Sequence, residues 1–159
     1  MDDHVEMGTR SLPANNRPQT VSFWLNIAAA PPATGRQVCV SLTAGTSGAS
    51  RLKLGFKESK LSAWRSGMPG DLATATAVSP TPGWHHFAYT FDGTTHRMFL
   101  DGAQQAMSTA TPETGAVLRA RLGANFDNTE RFAGQIDEVR IYKRALNAGE
   151  IAALNAGFE

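Results

Sequence analysis

Alternating apolar and polar residues run through most of this chain and predict a protein built from short β-strands. A strand turns successive side chains to opposite faces, so this alternation places one set of side chains on a core. The predicted strands cover residues 2–7, 20–28, 37–43, 51–57, 60–66, 71–79, 86–91, 96–100, 103–107, 116–123 and 135–143. Turn residues recur at intervals of about 8 to 12 positions, which is typical of a sandwich of two antiparallel sheets.

The most informative stretch is GWHHFAYTFDGTTHRMFLDG, from Gly83 to Gly102. It contains two strands and both of their turns in consecutive residues. Asp92-Gly93 and Asp101-Gly102 supply residues that accept the positive φ values of tight turns. Nearer the C-terminus, Asn147 and Glu150 have the spacing of a capping box and predict one short helix.

Composition is consistent with one domain, residues 1–159, large enough to bury a core without disulfides or metals. Lys and Arg number 15 against 14 Asp and Glu, a formal net charge of +1. We therefore expect no nucleic-acid partner. No apolar run approaches the roughly 20 residues of a membrane span, so we expect no membrane insertion. The single cysteine, Cys39, is predicted to be a small buried residue.

Two blocks of the chain share motifs with a known family. The first has a Gly-Trp-x-His start at Gly83, an aromatic-Asp-Gly turn at Asp92 and a Leu-Asp-Gly turn at Asp101. The second is FAGQIDEVRIYKRALNAGEIAAL, from Phe132 to Leu154. Together they resemble the LamG-like jelly rolls of the concanavalin A-like lectin/glucanase superfamily. The resemblance implies an all-β, two-sheet antiparallel jelly-roll sandwich with one short C-terminal helix.

The resemblance says less about function, because domains of this family bind sugars, bind proteins or space other domains. The cellular location also stays open. The start MDDHVEMG lacks the basic and hydrophobic regions of a signal peptide. The family usually carries a further strand ahead of the run that resembles Asp2 to Val5. The sequence is therefore compatible with a cytoplasmic protein or with a domain from a longer, secreted and extracellular one.

Enzymatic chemistry finds little support in the sequence. Glycoside hydrolases place two carboxylates about 5 to 9.5 Å apart, and residues i and i+2 of a strand would suit this geometry. Asp137 and Glu138 are adjacent and are expected on opposite faces, while Asp92 and Asp101 belong to turns. The sequence therefore predicts no enzyme activity.

One acidic and histidine-containing group is a possible metal or proton-relay site. Asp2, His4 and Glu6 share a face of the first predicted strand. Edge strands also carry polar side chains simply because they are solvated, and this alternative stays open.

We predict instead a carbohydrate-binding, lectin-like module for a glycan or polysaccharide. Flat aromatic side chains edged by polar groups stack on sugar rings. The predicted contacts all lie opposite the aliphatic residues of their strands: Trp64, Trp24, Trp84, His86, Arg119 and Arg121. Trp64 is the preferred contact, since Trp84 belongs to the family's Gly-Trp start and Trp24 also suits a structural role. The alternatives are a protein-interaction or spacer domain and, third, a degenerate hydrolase.

The resemblance also implies a structural calcium ion where the closing strand meets the N-terminal segment. Asp137, in GQIDEVRIY, occupies the matching position. Strand alternation would place Asp137 on the face of Val139 and Ile141. Calcium takes six to eight oxygen ligands, which one carboxylate and loop carbonyls largely supply. The alternative is that Asp137 caps backbone amides or pairs with an arginine.

Overall fold

The computed structural model places the chain in two antiparallel β-sheets that pack face to face, with one helix. This confirms the predicted jelly-roll sandwich. The structure describes residues 5–8, 12–27, 29–44, 49–75, 83–113 and 115–157.

The elements follow in chain order. The strands are β1 (Val5–Gly8), β2 (Gln19–Ile27), β3 (Arg36–Ala44), β4 (Ala49–Lys57), β5 (Lys60–Arg65), β6 (Leu72–Ala73), β7 (Gly83–Phe91), β8 (Thr95–Leu100), β9 (Ala103–Thr109), β10 (Arg119–Leu122) and β11 (Gln135–Tyr142), and the helix is α1 (Ala148–Ala156). One sheet has six strands in the order β1-β10-β3-β4-β5-β6. The other has five, in the order β11-β2-β7-β8-β9. Among the described residues, no helix has both the length and the apolar character that a membrane span requires.

The predicted meander forms the centre and one edge of the five-stranded sheet. Strands β7, β8 and β9 pair consecutively and antiparallel. Gly93 has φ +108°, while Asp101 and Gly102 have φ +50° and +78°. Both Asp-Gly turns therefore use the positive φ values that the sequence predicts. Asp92 itself stabilises its turn through its carboxylate, which accepts hydrogen bonds from the backbone amides of Thr94 and Thr95.

Two strand predictions need correction. Residues 71–79 were predicted to form one strand, but β6 covers only Leu72–Ala73, and residues 76–79 lie outside the described part. Residues 116–123 were predicted with Leu118 and Leu122 on one face. Strand β10 begins only at Arg119. Leu118 is 51% exposed, and Val117 packs in the core instead of Leu118.

The core lies between the inner faces of the two sheets. Phe23 and Phe87 stack with ring centroids 4.9 Å apart. Cys39 is buried and free, as predicted, and burial raises the pKa of its thiol well above the usual value. A thiol held in its neutral form is a poor nucleophile, so Cys39 is a packing residue.

Helix α1 covers part of the outer face of the five-stranded sheet. Ile151 packs with Leu146 against Ala88 and Phe99. The predicted capping box holds the helix start, since the Asn147 side chain accepts from the Glu150 amide at 3.0 Å. No helix covers the outer face of the six-stranded sheet among the residues described.

A close backbone approach at Gly134 gives a test of this architecture. A Cβ atom added at Gly134 would lie 2.3 Å from the backbone oxygen of Asn26 and 2.6 Å from the Phe132 ring. We expect Gly134→Ala to shift the start of β11 and to lower the free energy of unfolding by about 1–3 kcal/mol. Gly70→Ala is the matched control, because a Cβ there meets nothing within 4 Å. Equal urea midpoints for the two variants would contradict the packing of β11 on β2.

Candidate functional site

The predicted ligand contacts divide between the two outer faces of the sandwich. Three lie on the six-stranded sheet, namely Trp64, Arg119 and Arg121. Three lie on the five-stranded sheet, namely Trp24, Trp84 and His86. The prediction that all six residues form a single platform is therefore wrong, because the core separates the two outer faces.

The group on the five-stranded sheet is largely buried. Trp24 and His86 are direct cross-strand partners, with ring centroids 5.3 Å apart, and are only 8% and 2% exposed. Burial, aided by the charge of Arg140, lowers the pKa of His86 to about 4 against the opposing charge of Asp101. Trp84 is half-buried beside Asn26. The Trp24 and His86 pair thus offers no open ring face to a ligand in solution.

A row of side chains crosses the outer face of the six-stranded sheet. Strand register places Arg121 beside Ser41, Ser41 beside Lys53, and Lys53 beside Trp64. Trp64 is half-buried, and the Lys53 ammonium lies 5.8 Å from its ring centroid. We call these four residues the Trp64 row. Its accessible members are the Trp64 ring and the Lys53 ammonium, since Ser41 and Arg121 are buried.

A second aromatic ring lies at the arginine end of the row. The guanidinium groups of Arg119 and Arg121 lie 5.8 and 5.2 Å from the Phe126 ring centroid. Arg121 also donates to the backbone oxygens of Asn125 and Phe126 and is 8% exposed. Arg121 therefore holds the loop after β10, whereas Arg119 is the more accessible of the two.

That loop brings an acidic side chain onto the surface. The Val38 amide donates to the Glu130 backbone oxygen at 2.7 Å, so the loop runs beside β3. The Glu130 carboxylate lies 2.7 Å from Lys53 Nζ and 3.6 Å from Arg36 Nε. The sequence analysis missed both Phe126 and Glu130, because they lie between the predicted strands 116–123 and 135–143, where alternation gives no signal.

Asp71 forms a second charged centre on the same surface. Its carboxylate accepts from Arg36 at 2.7 Å, from Lys57 at 2.9 Å and from the Ser62 hydroxyl at 3.1 Å. Burial raises the pKa of Asp71, but the hydrogen bonds from Lys57 and Arg36 outweigh burial and leave the pKa below its usual value. Asp71 is therefore ionised at neutral pH and orients the cations around it.

The predicted calcium ligand lies on the five-stranded sheet. The prediction that Asp137 shares a face with Val139 and Ile141 is wrong. A bulge between Asp137 and Arg140, with Glu138 at φ +52°, interrupts the alternation. Asp137 pairs with Trp24 on the outer face, is exposed, and accepts the Glu138 amide at 2.7 Å.

This environment fits a calcium ion only in part. The described residues hold no group of three or more His, Cys, Asp or Glu side chains that could bind a metal. Backbone carbonyls or water would have to complete the six to eight oxygens around Asp137. The predicted group of Asp2, His4 and Glu6 cannot be placed, since residues 1–4 and the Glu6 side chain lie outside the described part.

Several solved structures share this fold. Domain 4 of AbnA, an extracellular GH43 arabinanase from Geobacillus stearothermophilus solved in complex with arabinotriose, has 20% identity and a TM-score of 0.70, covering 96% of this chain and 72% of that one. A heptameric SAP-like pentraxin from Limulus polyphemus has 13% identity and a TM-score of 0.72, covering 96% and 75%. The binding domain of botulinum neurotoxin serotype G has 12% identity and a TM-score of 0.75, covering 96% and 40%.

These likenesses establish the fold, while a sequence-family model establishes the family. No curated protein matches the chain in a sequence search. The model described as the concanavalin A-like lectin/glucanases superfamily matches residues 1–152. The chain therefore belongs to the concanavalin A-like lectin/glucanases superfamily.

Proposed function

We propose that this domain is a non-catalytic carbohydrate-binding module whose glycan lies along the Trp64 row. The observation that carries this proposal is the half-buried Trp64 ring, which has the Lys53 ammonium over one face. Sugar rings stack on flat aromatic faces through their C–H groups, while neighbouring polar groups bind the hydroxyls.

The shape of the surface favours an extended ligand. Adjacent strands are about 4.8 Å apart, so the four strands from Arg121 to Trp64 span about 14 Å. Phe126 adds a second ring at the far end. A chain of several sugars matches this length better than a single ring does. The similarity to an arabinanase domain solved with arabinotriose supports an oligosaccharide ligand.

The charged pairs on the surface favour binding over hydrolysis. A glycosidase needs one carboxylic acid that keeps its proton near neutral pH. Asp71 has a lowered pKa, and Glu130 lies in ion pairs with Lys53 and Arg36. We therefore expect no release of reducing sugar from any polysaccharide that the domain binds. Steady release that Asp71→Asn abolishes would contradict the non-catalytic proposal.

A second candidate function is a protein-interaction or spacer domain. The ion pairs that Arg36 makes with Asp71 and Glu130 stabilise the surface by themselves, and this observation favours a structural face. Affinity gels that contain polysaccharides distinguish the two functions, because a protein-interaction or spacer domain should not be retarded by them.

The first prediction concerns Trp64. In affinity gels containing soluble polysaccharides, we expect retardation of the wild-type domain by at least one polysaccharide. Trp64→Ala should weaken that affinity about tenfold or more, the range of a central aromatic contact. Met107→Ala is the control, since it removes another exposed apolar side chain from the five-stranded sheet.

Two results would contradict this location. Unchanged affinity in folded Trp64→Ala would remove Trp64 from the site. A loss confined to Trp84→Ala would place the site on the other outer face.

The second prediction concerns calcium, which we retain as a proposal for Asp137. A ligand that binds only the folded state stabilises it by about 2.7 kcal/mol at a hundred times its dissociation constant. We expect the melting temperature to be higher in excess calcium than in chelator, and Asp137→Asn to remove the difference. Wild-type melting temperatures that are equal in calcium and chelator would exclude the site.

A further inference from the structure

An arginine is buried directly behind the Trp64 surface. Arg65 follows Trp64 on β5 and points into the sandwich, where it is 0% exposed. Its Nε donates to Asn15 Oδ1 at 3.0 Å, and its Nη1 donates to the Tyr89 hydroxyl at 3.0 Å. None of these partners is a carboxylate, and Nη2 has no hydrogen-bond partner in the described structure. A guanidinium stays protonated even when buried, so this end of the core contains a positive charge that lies 4.6 Å from the Phe91 ring centroid and has no carboxylate partner among the described residues.

The Tyr89 hydroxyl connects Arg65 to a buried histidine. The hydroxyl oxygen lies 2.6 Å from His96 Nδ1, and His96 Nε2 lies 2.9 Å from the backbone oxygen of Ala110. A carbonyl oxygen only accepts, so Nε2 carries the proton and Nδ1 of the neutral ring is an acceptor. Tyr89 therefore accepts from Arg65 and donates to His96. In this arrangement each of these hydrogen bonds has one donor and one acceptor.

Protonation of His96 would break that arrangement. Both ring nitrogens would then be donors, so Tyr89 would face donors on two sides and its own proton would lose its acceptor. A second cation would also form one hydroxyl away from Arg65. Loss of a satisfied hydrogen bond between buried groups is costly because water cannot replace the missing partner.

The surroundings of His96 mostly oppose that protonation. The Phe91 ring stacks on the imidazole with centroids 4.4 Å apart. Burial and the charge of Arg65 lower the pKa of His96, while the Ala110 carbonyl and the Asp92 carboxylate partly offset this effect. The charged and titratable groups that face the ring are therefore Arg65 from β5, Tyr89 from β7 and Asp92 from the turn before β8.

The same contacts hold the strand that presents Trp64. Asn15, bound to Arg65, donates its side-chain amide to the Glu113 backbone oxygen at 2.7 Å, and Glu113 bonds in turn to Ser66. Arg65 thus anchors the end of β5 from inside, at the residue next to the ring on the outer face. We propose that protonation of His96 loosens this anchor and weakens glycan binding at Trp64. This acid-sensitive regulation of binding rests on the proposed function.

The direction of the pH effect follows from the two states of the chain. An exposed histidine in the unfolded chain has a pKa of about 6.5, above that of folded His96. As pH falls below about 6.5, the unfolded chain binds the proton first and the folded state loses stability. The lowered pKa of His86, which lies on the outer face of the same sheet, changes stability with pH in the same direction. Only a variant of His96 therefore isolates its contribution.

His96→Gln is the test variant, because glutamine can accept from Tyr89 and donate to Ala110 but does not titrate. With linear arabinan as the probe, wild-type affinity should fall about fivefold between pH 7.5 and pH 4.5, the lower end of coupling between sites, with most of the decrease below pH 6 because the pKa of folded His96 lies below its usual value. His96→Gln should lose most of this pH dependence. His85→Gln is the matched control, since it replaces another histidine, near the far end of β7 and outside the network, and it should retain the wild-type decrease. Parallel decreases in wild type and His96→Gln would overturn the proposal.

Two further measurements separate this proposal from the proposed function. Absence of arabinan binding at every pH counts against the proposed ligand class, while amide hydrogen exchange still reports on the anchor. At pH 4.5 we expect faster exchange in β5 of the wild type than in β5 of His96→Gln. Equal protection of β5 in the two proteins would overturn the anchor. A nuclear magnetic resonance titration that gives the His96 ring of the wild type a pKa at or above 6.5 would also overturn the proposal.

Discussion

The packing of the two inner sheet faces against each other is the interaction on which the rest of the structure depends. Each strand alternates, so burying Leu54 of β4 and Ala63 of β5 turns Lys53 and Trp64 outward. The hydrophobic contacts of the core therefore also determine which side chains form the outer surface. Arg65 is an exception, since it places a charge inside this core and donates its hydrogen bonds to neutral partners.

Among the described residues, the two outer faces differ because a helix packs on only one of them. Helix α1 rests on Ala88 and Phe99 of the five-stranded sheet, and Trp24 with His86 is buried on the same side. On the six-stranded sheet, Trp64 and Lys53 stay partly accessible between ion pairs that fix the cations. Fixed side chains lose little conformational entropy when a ligand binds, which suits a rigid binding surface.

Local patterns in the sequence were sufficient for the fold but not for the site. Alternation and Asp-Gly turns predicted β2, β7 and β8 closely, and the Asn147 capping box predicted the helix. Alternation reports the face of a strand but not the sheet to which the strand belongs. It therefore could not separate Trp64 from Trp24. The bulge after Asp137 reversed a predicted face, and Glu130 reaches the surface from an irregular loop.

Mapping a bound oligosaccharide by nuclear magnetic resonance tests the central claim most directly. The domain would be labelled with nitrogen-15 and titrated with arabino-oligosaccharides and other soluble oligosaccharides. The account predicts that the largest amide and indole shifts fall on β3, β4, β5 and β10, with the Trp64 indole among them. Shifts confined to β2, β7 and β11 would contradict it, as would a complete absence of shifts with every oligosaccharide.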